Sequence, residues 1–350
     1  MARTAWIEML FPPLVALLVA LVAGDLLILA YGQNPAAVWH LLVDGTWGNF
    51  YGIGQVLYKA TTLCFTGLSV AIALRAGLFN VGAEGQLAAG GFGAGLAGLL
   101  LPATMPWFFA FMLMFLAAAL CGSAVAAVPG VLKARFGAHE VIATIMMNFM
   151  VLALLNYLVA AHLHTPETLH TQSIASGLVP RLSVLLPVFH GSAANWLIVL
   201  AILAALLVGV VLFASRFGFE LRAVGLQVGA AENAGISVGS TWIRAMLLAG
   251  ALAGLGGLNF VLGYKGFYED GFAGGAGFLG IAVALVGRNH PLGVVISALC
   301  FATLSQGGLA IHALVPKQMV EVLQALVILA VAMAVPEVRT RLARSVRGKP

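Results

Sequence analysis

The chain has 350 residues, of which 62% are hydrophobic and 8% charged, with a formal net charge of +5. Soluble domains carry about a quarter charged residues, so a soluble fold is excluded and a polytopic membrane protein is expected. The apolar runs are long and lack strand alternation, which favours an all-α helical bundle over a β-barrel. Much of the positive charge lies in the tail, at Arg339, Arg341, Arg344, Arg347 and Lys349. Residues 337–350 therefore read as a cytoplasmic anchor at a lipid surface, not as a nucleic-acid arm.

Ten apolar segments can be drawn in chain order, near 10–31, 55–75, 81–101, 106–132, 139–161, 194–214, 244–262, 274–287, 291–311 and 316–335. About ten transmembrane segments are therefore expected, in a single domain over residues 1–350. The first run follows Arg3 and Glu8 without a small-residue cleavage site and reads as a retained span. Segment 274–287 is short and glycine-rich, so it is expected to be re-entrant or broken. The 76–86 junction raises the same question. Such backbone is tolerated at membrane depth only where protein or a water-filled cavity covers it.

Lys and Arg in short loops set orientation. With the N-terminus inside, Arg3, Arg75, Lys133, Arg135, Arg216, Arg222, Arg244, Arg288 and the tail all fall inside, 13 of the 17 cationic residues. Both termini are thus expected in the cytoplasm. Loop 32–54, with Trp39, Trp47, Phe50 and Tyr51, reads as an outer interfacial segment. Loop 162–193 lies outside and loop 215–243 inside. His162, His164 and His170 have only Glu167 nearby, and they read as a solvated loop without metal. Cys64, Cys121 and Cys300 read as packing residues. Asp25 and Glu321 lie nearer helix ends than centres, where they reach the interface or pair with polar neighbours.

Three stretches carry polar groups where lipid tolerates few. In Arg75–Gln86, Asn80 and Glu84 are four apart and would share a helix face, with Gln86 beyond and Phe79 beside them. Gly77, Gly82 and Gly85 would let that helix start late and expose N–H groups to a polar solute. An ionisable group at this depth points to a pathway; the alternative is interhelical hydrogen bonding that only holds the bundle together. Thr144, Asn148 and Asn156 read as one polar stripe beside Met146, Met147 and Phe149, suiting a solute with hydroxyls and a flat apolar face. The alternative is again a polar seam. In the inner loop, Gln227 to Ala234 reads as a short helix with Gly235 as its stop. It is moderately apolar, so it would dock another protein or lie on the membrane. Gly91 with Gly95 and Gly250 with Gly254 form GxxxG pairs, followed by Gly256 and Gly257, and would bring helix backbones close.

No G-x-x-x-x-G-K-[ST] occurs, so no P-loop binds ATP. No Ser/His/Asp set, zinc signature, Arg-rich helix or filter motif stands out, and an intramembrane enzyme lacks an acid/base pair at one depth.

Four stretches in order carry a resemblance. They are Gly77–Gln86, Glu140–Asn148, Ala223–Leu226 continuing to Ala234–Ile236, and Gly280–Asn289 followed by Pro291–Gly293. At these the chain resembles permease subunits of ABC importers of the branched-chain amino acid/ribose type, most of all the nucleoside and simple-sugar branch. The resemblance covers residues 55 to 335. It implies a transport subunit without its own ATPase site, in a bacterial inner membrane. Two permeases, here two different chains, would form the pore, with two cytoplasmic subunits holding ATP and Mg and an extracytoplasmic binding protein delivering solute. Asn80, Glu84, Gln86, Thr144, Asn148 and Phe79 would border the substrate pathway. Gln227, Gly229, Ala230, Ala231, Glu232, Ala234 and Gly235 would form the coupling helix, although the family often has Asn-Pro and basic residues there. Nucleosides lead as cargo, with simple sugars second and another heterocycle such as a vitamin third. An ion-coupled secondary transporter using Glu84 or Glu321 is the reading from another class.

Overall fold

The computed structural model describes residues 21–312 and 314–333. Arg3, residues 10–20 and the basic tail 337–350 lie outside the described residues. The helices are α1 (Leu21–Ala30), α2 (Pro35–Thr46), α3 (Phe50–Arg75), α4 (Ala83–Leu100), α5 (Trp107–Phe136), α6 (Glu140–Leu158) and α7 (Leu197–Ala214). They continue with α8 (Arg216–Leu226), α9 (Val228–Asn233), α10 (Val238–Gly256), α11 (Leu258–Phe260), α12 (Ala276–Val286), α13 (Pro291–Ala310) and α14 (Lys317–Met333). A π-turn, Val159–Leu163, extends α6, and another, Val261–Lys265, extends α11.

The chain is thus all-helical and polytopic. Among the described residues six helical stretches are long and apolar enough to cross a membrane, and α1 with α2, bent by 115°, would make a seventh. Each of the ten expected segments overlies a helix, but not every helix is a full span: α12 has 11 residues and α14 has 17. Loop 32–54 contains a helix that periodicity did not announce. Asn34 caps α2 by accepting from the Ala36 N–H at 3.0 Å, and Pro35 opens it.

The chain forms two compact units. One comprises residues up to Ile53 and from Thr303 onward. Its core gathers Ile28, Val38, Leu42, Ile311, Val315, Met319 and Val320. Asp25 there accepts a 2.6 Å hydrogen bond from the Trp39 indole, pairing with a polar neighbour as expected.

The other unit, Gly54–Ala302, is centred on α4, α5 and α10. These helices meet through glycine. An added Cβ at Gly90 would collide with the Gly254 backbone, at Gly254 with the Ala118 carbonyl, and at Gly122 with the Gly250 carbonyl. Gly257 is equally closed by the Gly91 backbone. Apolar side chains gain little by leaving lipid for other apolar side chains. Close backbone approach, with its dispersion contacts, does the work instead. Gly250 and Gly254 thus act as the spacing predicted, with partners on α5 and α4.

Gly254→Val should destabilise the protein by about 1–3 kcal/mol, because backbone cannot yield as a side-chain tip can. The check is the thermal midpoint of the detergent-purified protein. Gly229→Ala, where an added Cβ meets nothing within 4 Å, is the control and should leave the midpoint unchanged.

Candidate functional site

The chain turns back on itself after α3. Gly77 has φ +75°, and the Leu78 N–H reaches the Ala73 carbonyl at 2.9 Å while Gly77 N–H reaches Leu74 at 3.1 Å. This left-handed stop ends α3 and sends residues 78–82 along it without helix. The α4 helix begins only at Ala83, so the late start foreseen from the glycines is present. Asn80 and Glu84 consequently do not share a helix face, because Asn80 precedes the helix.

Asn80 is fully buried and bonded on both ends. Its amide donates to Ser69 Oγ (3.2 Å) and to Gln86 Oε1 (2.9 Å). Its Oδ1 accepts from Gln86 Nε2 (3.0 Å) and from the Gly82 N–H (3.1 Å). Asn148 of α6 serves the next turn. Its Oδ1 accepts from the Gly85 N–H and its Nδ2 donates to the Val81 carbonyl, both at 2.9 Å. Two of the N–H groups at this unwound start, those of Gly82 and Gly85, are here taken by side chains. Thr144 is buried one turn before Asn148 and donates to the Glu140 carbonyl at 2.8 Å. Phe79 is half-buried.

Glu84 bridges to a remote segment. Its Oε1 accepts from the Gly275 N–H at 2.8 Å and its Oε2 from the Gly277 N–H at 2.7 Å. These groups open α12, whose N–H ends have no intrahelical partner. A carboxylate is the fitting acceptor there, since the helix N-terminus carries partial positive charge. Glycine at 277 is required, because a Cβ would strike the Glu84 backbone. The depth of this junction follows from α3. Thr66 Oγ1 donates to the Ala276 carbonyl at 3.1 Å, and Arg75 Nε to the Asn289 carbonyl at 3.0 Å. Thr66 lies nine residues before Arg75, about 14 Å along the helix. The start of α12 therefore sits about 14 Å inward of Arg75, well inside the 26-residue length of α3. The segment expected to be broken is a half-span.

The polar stripe expected on α6 divides. Thr144, Asn148, Val151 and Leu155 are buried, whereas Asn156 is exposed and donates to Asp270 Oδ2 at 2.7 Å. Eight residues at about 100° each leave Asn156 roughly 80° off the face of Asn148. Met146 is exposed about 160° round the helix from Asn148 and Phe149 about 100° from it.

Sequence reading passed over Asn195 and Asn259. Asn259 Nδ2 donates to the Tyr58 carbonyl (2.8 Å) and Thr62 Oγ1 (2.9 Å), and Asn195 Nδ2 donates to Asn259 Oδ1 at 2.8 Å. Both are buried. The signal was the one already applied to Asn148, a lone amide inside an apolar run.

In the 215–243 loop, α9 runs from Val228 to Asn233, inside the expected Gln227–Ala234, and Gly235 ends it at φ +77°. The Ile236 N–H returns to the Ala231 carbonyl at 3.0 Å. Ala231 is buried with Val224 and Val238, while Gln227, Gly229, Ala230, Glu232, Ala234 and Gly235 are exposed. The preceding α8 was not foreseen. It is braced by the Glu220 pairs with Arg216 (2.9 Å) and Arg244 (3.8 Å). Leu226, the last residue of α8, is 89% exposed.

Residues 52–332 match the family model described as the permease component of the branched-chain amino acid transport system. The chain belongs to this family. Three curated relatives span nearly its whole length. It is 38% identical over 328 residues to the guanosine ABC transporter permease protein NupP of Bacillus subtilis (strain 168), covering 92% of this chain and 93% of that one. It is 34% identical over 331 residues to the glucose ABC transporter permease protein TsgB13 of Haloferax volcanii, covering 91% and 85%. It is 33% identical over 327 residues to the nucleoside ABC transporter permease protein NupB of Lactococcus lactis subsp. cremoris, covering 91% and 90%. The family match includes Asn80, Glu84, Gln86, Thr144, Asn148, Asn195 and Asn259.

Removing the Glu84 carboxylate leaves the buried Gly277 N–H unpaired, at about 1–3 kcal/mol, and with it the part-buried Gly275 N–H. Thermal midpoints in detergent should fall in the order wild type, Glu84→Gln, Glu84→Ala. If the Ala variant were as stable as wild type, the carboxylate would not be what holds α12.

Proposed function

We propose that this permease is one of two membrane subunits of an ATP-driven nucleoside importer. The observation that carries the reading is the 38% identity to a guanosine permease across more than nine-tenths of both chains. Two Bacillus subtilis proteins bear that description, NupP and NupQ, and this chain is 38% identical to one and 28% to the other. That supports a pore built from two related but different chains. The glucose permease TsgB13, at 34% identity, favours a simple sugar as the second reading.

In this proposal all ten helical segments of one permease domain belong to the membrane, both termini face the cytoplasm, and the membrane is the bacterial inner membrane. The Lys and Arg distribution supports that orientation. The exposed α9 docks on an ATP-binding subunit, which holds ATP and Mg, since this sequence has no P-loop. An extracytoplasmic binding protein delivers the nucleoside. ATP biases the permease between two states only by binding them unequally. The buried Asn80, Glu84, Gln86, Thr144 and Asn148 frame the pathway from behind. Their hydrogen-bonding capacity is used within the chain, so they shape the wall and do not grip the solute, and half-buried Phe79 lies beside them.

Vesicles holding the complete complex, with binding protein outside, should take up labelled guanosine only when ATP reaches the nucleotide-binding side. Uptake driven by a proton or sodium gradient alone would overturn the proposal in favour of a secondary transporter. Glucose uptake without guanosine uptake would select the second reading. Ala230→Trp on α9 should cut uptake at least about tenfold while the permease still folds, since that surface faces outward.

A further inference from the structure

The descent into α12 is non-helical backbone that is only partly covered within the Gly54–Ala302 unit. Contacts with α4 give its depth. Gly95 abuts Tyr268, Gly91 abuts Phe272, and Gly277 lies against the Ala83–Glu84 backbone. Gly95 and Glu84 are eleven residues apart, about 16 Å along α4. Residues 268–277 thus travel from near one membrane face to the middle. They do so largely without helix, since α12 begins only at Ala276. At the surface end the segment is pinned, with Thr171 N–H on the Tyr268 carbonyl at 2.9 Å and Asp270 N–H on the Leu169 carbonyl at 3.0 Å. At the deep end Glu84 holds it.

Between those anchors Gly271 and Gly274 are exposed. A Cβ added at Gly271 or Gly275 would meet nothing within 4 Å. Backbone of this kind at membrane depth is stable only when protein covers it or water reaches it. Its own unit buries Ala273 and Gly277 but leaves Gly271 and Gly274 open. Independent of the backbone, the exposed Asn156–Asp270 pair stands at the start of the descent, and an ionisable side chain there demands water or a partner. Phe278, 47% exposed, continues the same open side into α12.

We infer that Asp270–Phe278 forms one wall of a water-filled vestibule, through which the solute passes from the outer face to mid-membrane. The inference rests on the importer reading and adds a location and a chemistry to it. The wall offers backbone amides and carbonyls to hydroxyls. It offers the exposed Phe278 to a flat ring, and Phe272 of the same segment stacks on Phe260 at 4.8 Å. The acid stands only at the mouth. These features suit a neutral, hydroxyl-bearing solute with an aromatic base, and disfavour an anion.

The test is thiol accessibility in the assembled transporter, with Cys64, Cys121 and Cys300 replaced by Ala. Phe278→Cys and the milder Ala276→Cys are treated with a charged, membrane-impermeant thiosulfonate. Leu203→Cys on the exposed apolar side of α7 is the reference. Only a hydrated thiol ionises and reacts, so both test sites should react at least about tenfold faster than the reference. Reaction no faster than the reference at both sites, in complexes that still copurify, would overturn the vestibule, whether lipid or a second permease covers the wall. Guanosine should slow labelling at Phe278→Cys. Fast labelling that neither guanosine nor glucose slows would keep the vestibule and remove the cargo assignment.

Discussion

A carboxylate in the middle of a membrane and a helix that starts there are each unstable alone. An isolated buried charge carries a desolvation cost far beyond the net stability of a domain. The open N-terminus of α12 leaves N–H groups without intrahelical partners, and that of Gly277 is buried. Placed together, each supplies what the other lacks. Glu84 receives two short charge-assisted hydrogen bonds from Gly275 and Gly277, and the helix end receives an anion. The broken span and the acid on α4 are therefore one device.

That placement depends on how α4 begins and how it packs. Its first turn is written by side chains from other parts of the chain, Asn80 from the preceding stretch and Asn148 from α6. Each amide behaves as a spare peptide group, completing bonds that a continuous helix would have made internally. Further along, α4 and α5 approach α10 at backbone distance through Gly90, Gly122, Gly250, Gly254 and Gly257. Without a hydrophobic drive between helices in lipid, this contact is what keeps α4 from sliding. A shift of one turn would carry Glu84 about 5 Å from the N–H groups it serves.

The sequence made the elements legible because apolar run length is a local property. The late start of α4, the half-span near 274–287 and the stop at Gly235 were legible for the same reason, as glycine marks each locally. Other features depend on which distant group comes near, and no local pattern carries that. Glu84 had to find donors, but nothing in Arg75–Gln86 indicates that they sit some 190 residues onward, at Gly275 and Gly277. Asn156 shows a different failure, because a spacing of eight was read as one face although the helix drifts by nearly a quarter turn. For α2, a single Asn-Pro cap outweighed an otherwise unremarkable interfacial composition.

The same contacts join the exposed α9 to the buried knot. Ala231 of α9 packs with Val224 and Val238, and Trp242 packs against that cluster. The Trp242 indole donates to the Ala76 carbonyl at 3.2 Å, and Lys133 lies over its ring at 5.5 Å. Gly225 at the end of α8 is closed by the backbone of Arg75 and Gly77. The packing along which a load on α9 would travel leads first to the turn that ends α3, which Asn80 follows, four residues before Glu84. Continuity of packing is necessary for such transmission, but coupling also needs an element with two discrete arrangements. The descent to α12 is the natural one. It is fixed at both ends, free of helix between them, and glycine at 271, 274 and 275 gives it backbone states closed to other residues. A small movement of Glu84 would draw the deep end of that segment with it, while Thr171 and Leu169 hold the surface end in place.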